Sequence, residues 1–380
     1  MQITQTDGRT LDVHDSTNGI HAPLAVVWHH GSPQTGAALE PHLRAAALRG
    51  IRWISYARPS YGDSSAQPGR TVTNAAADVE QLINAMGIDQ IAVMGASGGG
   101  PHALACAAIP GDRVWAAATF ASLAPFTTDF DWFAGMAGDG PSLRAAQDGE
   151  DARVIFERTS EFDEESFNSR DYSALKSEWT SLSADAGAAT AAGPEGLIAD
   201  DLAFVTPWDV DLSCVRIPAL LAHGGDDRIV PFAHAQWLLG HLPDAELWTR
   251  PRDGHVSILN ASAVAMDWLR QQAEMDWNAP VTFFVGPSGL HWTLSELKSV
   301  SKAPGATSER SPRTSWNAFR LSIVIGEYLT STQSTQKAGR SSHTVDPYPY
   351  WTWLEPLARV STSAKKGAIF ADETEWRVRR

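Results

Sequence analysis

The sequence predicts an α/β protein: a mostly parallel sheet with helices on both faces, interrupted by a helical insertion and followed by a C-terminal extension of different character. Three observations carry this. Six strand-like runs recur, most of them continuous apolar stretches rather than alternating ones, which marks strands covered on both faces. Helical patterns lie between several of them, and strand–helix alternation builds parallel sheets. A chain of 380 residues, 43% hydrophobic and 19% charged, can bury a large core, which excludes a disordered, collagenous or coiled-coil protein.

The elements follow in order. Residues 2–13 (QITQTDGRTLDV) read as an antiparallel hairpin turning at Asp7-Gly8, at the edge of the sheet. The strand runs are LAVVWHH (24–30), IRWISYA (51–57), IAVMGAS (91–97), VWAAATFAS (114–122), PALLAHG (218–224) and AELWTRP (245–251). In residues 73–87, Val79, Leu82, Ile83 and Met86 recur at helical spacing and Gly87 suits the C-cap. GPHALACAAI (100–109) starts directly after a strand, with proline in its first turn where proline is tolerated. Residues 124–205 hold helical stretches, PSLRAAQDGEDARVIFERTSEF and EGLIADDLAFV, and no convincing strand. Inserted at the carboxyl ends of parallel strands, such a segment would overhang the crevice where α/β sheets bind ligands, so a lid is the expected role.

Charge divides the chain. Residues 1–275 carry 17 basic and 35 acidic residues, a net of −18, whereas the remaining 105 carry 13 and 9, a net of +4. Segments such as TSTQSTQKAGRSSHT give the extension little periodicity, and poor order is expected of it. The expected organisation is a core at 1–123 and 206–275, a helical cap at 124–205 and the extension at 276–380. A net charge of −14 repels phosphate backbones and anionic lipid, so neither nucleic acid nor membrane is an expected partner. Two cysteines allow no disulfide framework, and no leader or run of about 18 apolar residues is evident, so a cytoplasmic setting is expected.

The sharpest chemical signal is Gly95-Ala96-Ser97-Gly98-Gly99, between an apolar strand and a helix. A sharp strand-to-helix turn strains its central residue and lifts that side chain above the sheet, and glycines remove the Cβ atoms that would collide. Ser97 is the expected nucleophile. An alcohol needs a base oriented by a carboxylate. Asp226-Asp227 follows one strand run, and Asp253-Gly254-His255 follows the next. A tetrahedral oxyanion needs two donors. Gly98 N–H supplies one, and in the loop His30-Gly31-Ser32-Pro33 the proline has no N–H, which leaves Ser32 as the other. His29 and His30 lack metal-ligand spacing, so no metal site and no cofactor are expected. Phe126, Phe130, Trp132, Phe133 and Met136 form an apolar cluster in the insertion; Phe126, Trp132 and Phe133 are candidates for the substrate pocket, although packing the insertion onto the core is an equal use for them.

With these residues in place, the body resembles the α/β-hydrolase fold superfamily, in particular bacterial single-domain serine hydrolases with a helical cap. The resemblance covers roughly residues 20–272, through HHGSP (29–33), ARPSYGDSS (57–65), GASGGG (95–100), HGGDDRIVP (223–231) and DGHVSIL (253–259). It implies the chain order Ser, Asp, His and places the acid at Asp227, because the family's acid loop looks like G-x-x-D-x-x-V-P. It also implies Ser97 as nucleophile, His255 as base, and Ser32 and Gly98 as oxyanion donors. The implied activity is cofactor-free hydrolysis of a small-molecule ester or related acyl bond. Perhydrolases, lyases and peptidases share the fold and remain alternatives, as does a non-catalytic binding protein.

Overall fold

The computed structural model describes residues 1–17, 24–109 and 111–274, together with short strands at 283–285, 290–292, 369–371 and 375–379. Strands β1 (Gln2–Thr4) and β2 (Thr10–Asp15) form the edge hairpin, with Gly8 in the turn at φ +87°, a conformation open to glycine. The parallel strands are β3 (Leu24–His29), β4 (Ile51–Tyr56), β5 (Ile91–Ala96), β6 (Val114–Phe120), β7 (Ala219–Gly224) and β8 (Ala245–Arg250). Their order is β1-β2-β4-β3-β5-β6-β7-β8, and among these eight only β2 runs against the others, pairing antiparallel with both β1 and β4.

The continuous apolar runs have a direct cause: every residue of β3, β4, β5 and β7 is buried. Side chains alternate between two cores. Val27, Ile54, Val93 and Leu221 pack on one face with Val79, Leu82 and Ile83 of α2 (Asn74–Ala85) and with α3 (Gly99–Ala107) and α9 (Phe232–His241). Val26, Trp28, Trp53, Met94 and Leu220 pack on the other with α1 (Glu40–Ala47) and α10 (Ser262–Glu274).

Between β6 and β7 lie five helices: α4 (Pro141–Gln147), α5 (Glu150–Thr159), α6 (Ser169–Leu175), α7 (Thr180–Ala192) and α8 (Glu195–Phe204). The long helical stretch expected at 141–162 breaks at Gly149, whose φ of +110° an L side chain rarely adopts. In the C-terminal extension, β9 (Phe283–Val285) and β10 (Leu290–Trp292) pair antiparallel, while β11 (Ile369–Ala371) pairs with β12 (Glu375–Arg379), which runs antiparallel to β8. The rest of the extension, including TSTQSTQKAGRSSHT and YPYWTWLEPL, lies outside the described residues. Among the described residues no helix is long and apolar enough to cross a membrane.

Candidate active site

β5 ends at Ala96, α3 begins at Gly99, and Ser97 between them has φ +53°. The left-handed region costs an L residue about 1–2 kcal/mol, so the surroundings must impose it. They do so through backbone contact. A Cβ at Gly95 would meet Gly99 O at 2.3 Å, and one at Gly99 would meet His29 O at 2.0 Å. The turn is closed by Ser97 N–H donating to Phe120 O (2.8 Å) and Gly100 N–H donating to Ser97 O (2.9 Å). The Ser97 hydroxyl has no hydrogen-bond partner among the described residues.

The loop leaving β3 lies against this turn. A Cβ on Gly31 would sit 3.6 Å from Ser97 Cβ, and one on Gly98 would sit 2.3 Å from Ser32 Oγ. The N–H groups of Ser32 and Gly98 are both without an acceptor among the described residues. The carbonyl of the Gly31–Ser32 peptide is held firmly. Arg58 N–H donates to His30 Nε2 (3.1 Å), which leaves the proton on Nδ1, and Nδ1 donates to Gly31 O (2.7 Å). Burial, then the charge of Arg58, holds the His30 pKa well below the ordinary histidine value, so the ring stays neutral.

A buried charge cluster that no sequence pattern marks underlies that loop. Asp200, on α8, accepts from Arg58 Nη2 (2.6 Å), Arg70 Nη2 (2.5 Å), Tyr61 hydroxyl (2.8 Å) and Ser32 Oγ. Arg58 also donates to His30 O, and its Nη2 reaches Ser32 Oγ at 3.1 Å. Burial works to raise the Asp200 pKa, but the two guanidinium groups hold it well below the carboxylate range. The run ARPSYGDSS was visible as a motif, but no sequence signal linked it to Asp200.

The acid and histidine loops follow β7 and β8, neighbouring strands in the sheet. Asp227 is buried, and its Oδ1 accepts from Ile229 and Val230 N–H, both at 2.9 Å. His255 Nδ1 lies 2.9 Å from Asp227 Oδ2 and 3.1 Å from Oδ1. Asp226 turns away, accepting from Asn168 Nδ2 at 3.0 Å. Burial disfavours the imidazolium, but Asp227 outweighs it and raises the His255 pKa; burial likewise works against the Asp227 carboxylate, and His255 brings its pKa below the ordinary value. His223, beneath them, donates from Nε2 to Val230 O at 2.7 Å.

The structure therefore joins Asp227 to His255, and Ser32 and Gly31 to the Ser97 turn, at the carboxyl ends of adjacent parallel strands. It does not join Ser97 to His255 by a hydrogen bond among the described residues. Of the aromatic candidates, Trp132 and Phe133 are buried with centroids 5.0 Å apart, and Phe126 packs 5.4 Å from Trp132. Trp132 gives its indole N–H to Ala124 O (3.1 Å) and stacks edge-on with His234. Phe204 of α8 instead lies over the serine turn: a Cβ at Gly98 would be 3.0 Å from its ring.

The alpha/beta hydrolase fold family matches the sequence over residues 25–262. A Synechocystis protein named "Putative non-heme chloroperoxidase" is 24% identical over 274 residues, covering 70% of this chain and 93% of its own. The pimeloyl-[acyl-carrier protein] methyl ester esterase of Aromatoleum aromaticum is 42% identical over 73 residues, 19% of this chain and 27% of that one. Among solved structures, a thermophilic esterase from Thermogutta terrifontis superposes with TM-score 0.54 at 22% identity, over 72% of this chain and 98% of the esterase.

Proposed function

Because the chain belongs to the α/β-hydrolase fold family, we propose that it is a serine hydrolase cleaving an ester or related acyl bond of a small molecule through Ser97, His255 and Asp227. The observation that carries this reading is the left-handed Ser97 at the strand–helix turn, held by glycines whose replacement the backbone forbids. Strain of that kind persists where its surroundings over-determine it, and a merely structural serine gains nothing from it.

In this reading His255 Nε2 takes the Ser97 proton as Oγ bonds to the acyl carbon, and the carbonyl electron pair moves onto oxygen. The Ser32 and Gly98 N–H groups receive that oxyanion, and the Gly31 carbonyl, pinned by His30, keeps the Ser32 N–H aimed. Collapse breaks the bond to the leaving group, which takes the proton from His255. Water then repeats the sequence and frees the acid. Asp227 stays ionised and holds the Nδ1 proton. Proton transfer needs Ser97 Oγ within hydrogen-bond reach of Nε2, a contact that forms as substrate binds. Phe204 beside Gly98 would form one wall of the acyl site, while half-buried Phe126 packs with buried Trp132 and Phe133 as an aromatic layer of the insertion.

The Synechocystis relative favours a second reading, perhydrolysis, in which peroxide replaces water at the acyl-enzyme. Both cysteines are unpaired, which supports work in the cytoplasm. Intact-mass measurement after exposure to a fluorophosphonate tests the proposal. One adduct on the wild type, absent from Ser97→Ala, is expected, together with a rate loss on the order of 10³-fold or more. A Ser97→Ala variant that still hydrolyses esters refutes it.

A further inference from the structure

Helix α6 touches both the acid and histidine loops through its N-terminus. Asp171 is buried, and its Oδ1 accepts from Val256 N–H (3.0 Å), Ser257 N–H (2.8 Å) and Ser257 hydroxyl (2.8 Å). Its Oδ2 accepts from His255 N–H and Asn168 N–H, both at 3.2 Å. Three successive backbone donors, beginning with that of His255, thus converge on one carboxylate. Gly254 is required beneath it, since a Cβ there would lie 2.1 Å from Asp171 Oδ2. Asn168, the helix N-cap, accepts from Asp171 N–H (3.0 Å) and donates from Nδ2 to Asp226 Oδ2 (3.0 Å), in the loop that carries Asp227.

No arginine or lysine pairs with Asp171 among the described residues; its neighbour Arg170 pairs with Asp253 instead. A salt bridge or apolar contact would anchor the helix without a bare buried carboxylate, which is costly unless N–H groups surround it. The donors that do surround it come almost entirely from residues 255–257.

We infer that Asp171 is a positioning residue for His255: it fixes the backbone from which the imidazole projects, while Asn168 ties the acid loop to the same helix end. The inference rests on the triad reading above. The charged and titratable groups around His255 are Asp227 and His223 from β7 and its loop, Asp171 from α6, and Asp253, two residues earlier, with Arg170 and Arg250 on it. Of these, Asp227 and then Asp171 favour the imidazolium against the effect of burial.

The test uses the full chain and two readouts: the fluorophosphonate labelling rate of Ser97 against pH, and the NMR titration of His255. Asp171→Asn keeps the volume but turns an amide nitrogen toward donors and removes the charge. Labelling should slow on the order of tenfold to a hundredfold, as misplaced catalytic groups do, and the His255 midpoint should move down. Trp179→Phe removes another bond from the insertion to the core, Trp179 Nε1 to Asn260 Oδ1 at 2.9 Å. It should lower Tm with rate and midpoint unchanged. An Asp171→Asn variant that behaves like Trp179→Phe overturns the inference. A wild type that does not label refutes the triad reading, and the His255 midpoint then still decides whether Asp171 acts on it. If Asp171→Asn fails to fold, Ser257→Ala removes one donor and leaves the carboxylate; labelling several-fold slower is expected, and an unchanged rate overturns the inference.

Discussion

Removing the Asp200 carboxylate strikes the loop that carries Ser32, a donor in the proposed mechanism, and the stability of the protein together. Arg58 and Arg70 are 1% and 2% exposed, and Asp200 is the carboxylate that pairs with both. Asp200→Ala leaves two guanidinium groups buried without a counter-charge, and leaves Tyr61 and Ser32 without their acceptor. Breaking a buried ion pair from one side typically costs about 3–5 kcal/mol. That is a large part of the roughly 5–15 kcal/mol by which domains are stable. Urea denaturation followed by far-UV circular dichroism should show a loss in that range for Asp200→Ala. Asp200→Asn, which keeps one acceptor, should lose less. Fluorophosphonate labelling should slow in both, because Arg58 holds the carbonyl of His30 and contacts Ser32 Oγ. A loss below about 1 kcal/mol would refute the reasoning, since it would mean that the cations are solvated and the cluster is open.

Gly99→Ala places a Cβ 2.0 Å from His29 O and 2.6 Å from His30 O, backbone atoms with no rotamer to escape by, and should cost at least about 3 kcal/mol in the same urea assay. The pH dependence divides by sign. The raised pKa of His255 contributes stability below its ordinary value of 6.5 that is lost as pH rises through the folded value; the lowered pKa of Asp227 contributes stability above 3.8 that is lost as pH falls through its folded value. Denaturation midpoints should therefore decline on the alkaline side of 6.5 in the wild type and less steeply in Asp227→Asn, while kcat/KM rises over the same alkaline range as His255 becomes a free base. A wild-type kcat/KM limb below 6.5 contradicts this.

The sheet was legible because its central strands are buried on both faces, so β3, β5 and β7 read as nearly unbroken apolar runs, and α2 because a single buried face imposes Val79, Leu82 and Ile83 at helical spacing. Helix α7, TSLSADAGAATAA, escaped because alanine and serine surround it without an apolar stripe. The serine turn was legible for a steric reason: only glycine fits at 95 and 99, and that requirement is written in the residues themselves. Arg58, Asp171 and Asp200 were not legible as a set. In a sequence a charged residue on a helix reads as a solvated face, and the Arg58–Asp200 pair spans 142 positions. Their burial is a product of tertiary packing alone.

These hidden carboxylates have a common placement. Asp171 on α6 holds residues 255–257, Asp185 on α7 accepts from Thr35 N–H (3.2 Å) and Gln34 Nε2 (3.2 Å), and Asp200 on α8 holds Ser32 and Arg58. Gln34 in turn accepts from Gly31 N–H at 2.5 Å, beside the serine turn. Three consecutive helices of the insertion thus each supply one buried aspartate to a loop at the carboxyl edge of the sheet. A lid that swung as a body would uncover all three charges and strip the loops of their acceptors just when the proposed mechanism needs Ser97, Asp227 and His255 in register, at several kcal/mol for each carboxylate left without its partners. The insertion is better understood as part of the scaffold that fixes those loops, with the sheet setting where they start and α6, α7 and α8 setting where they point.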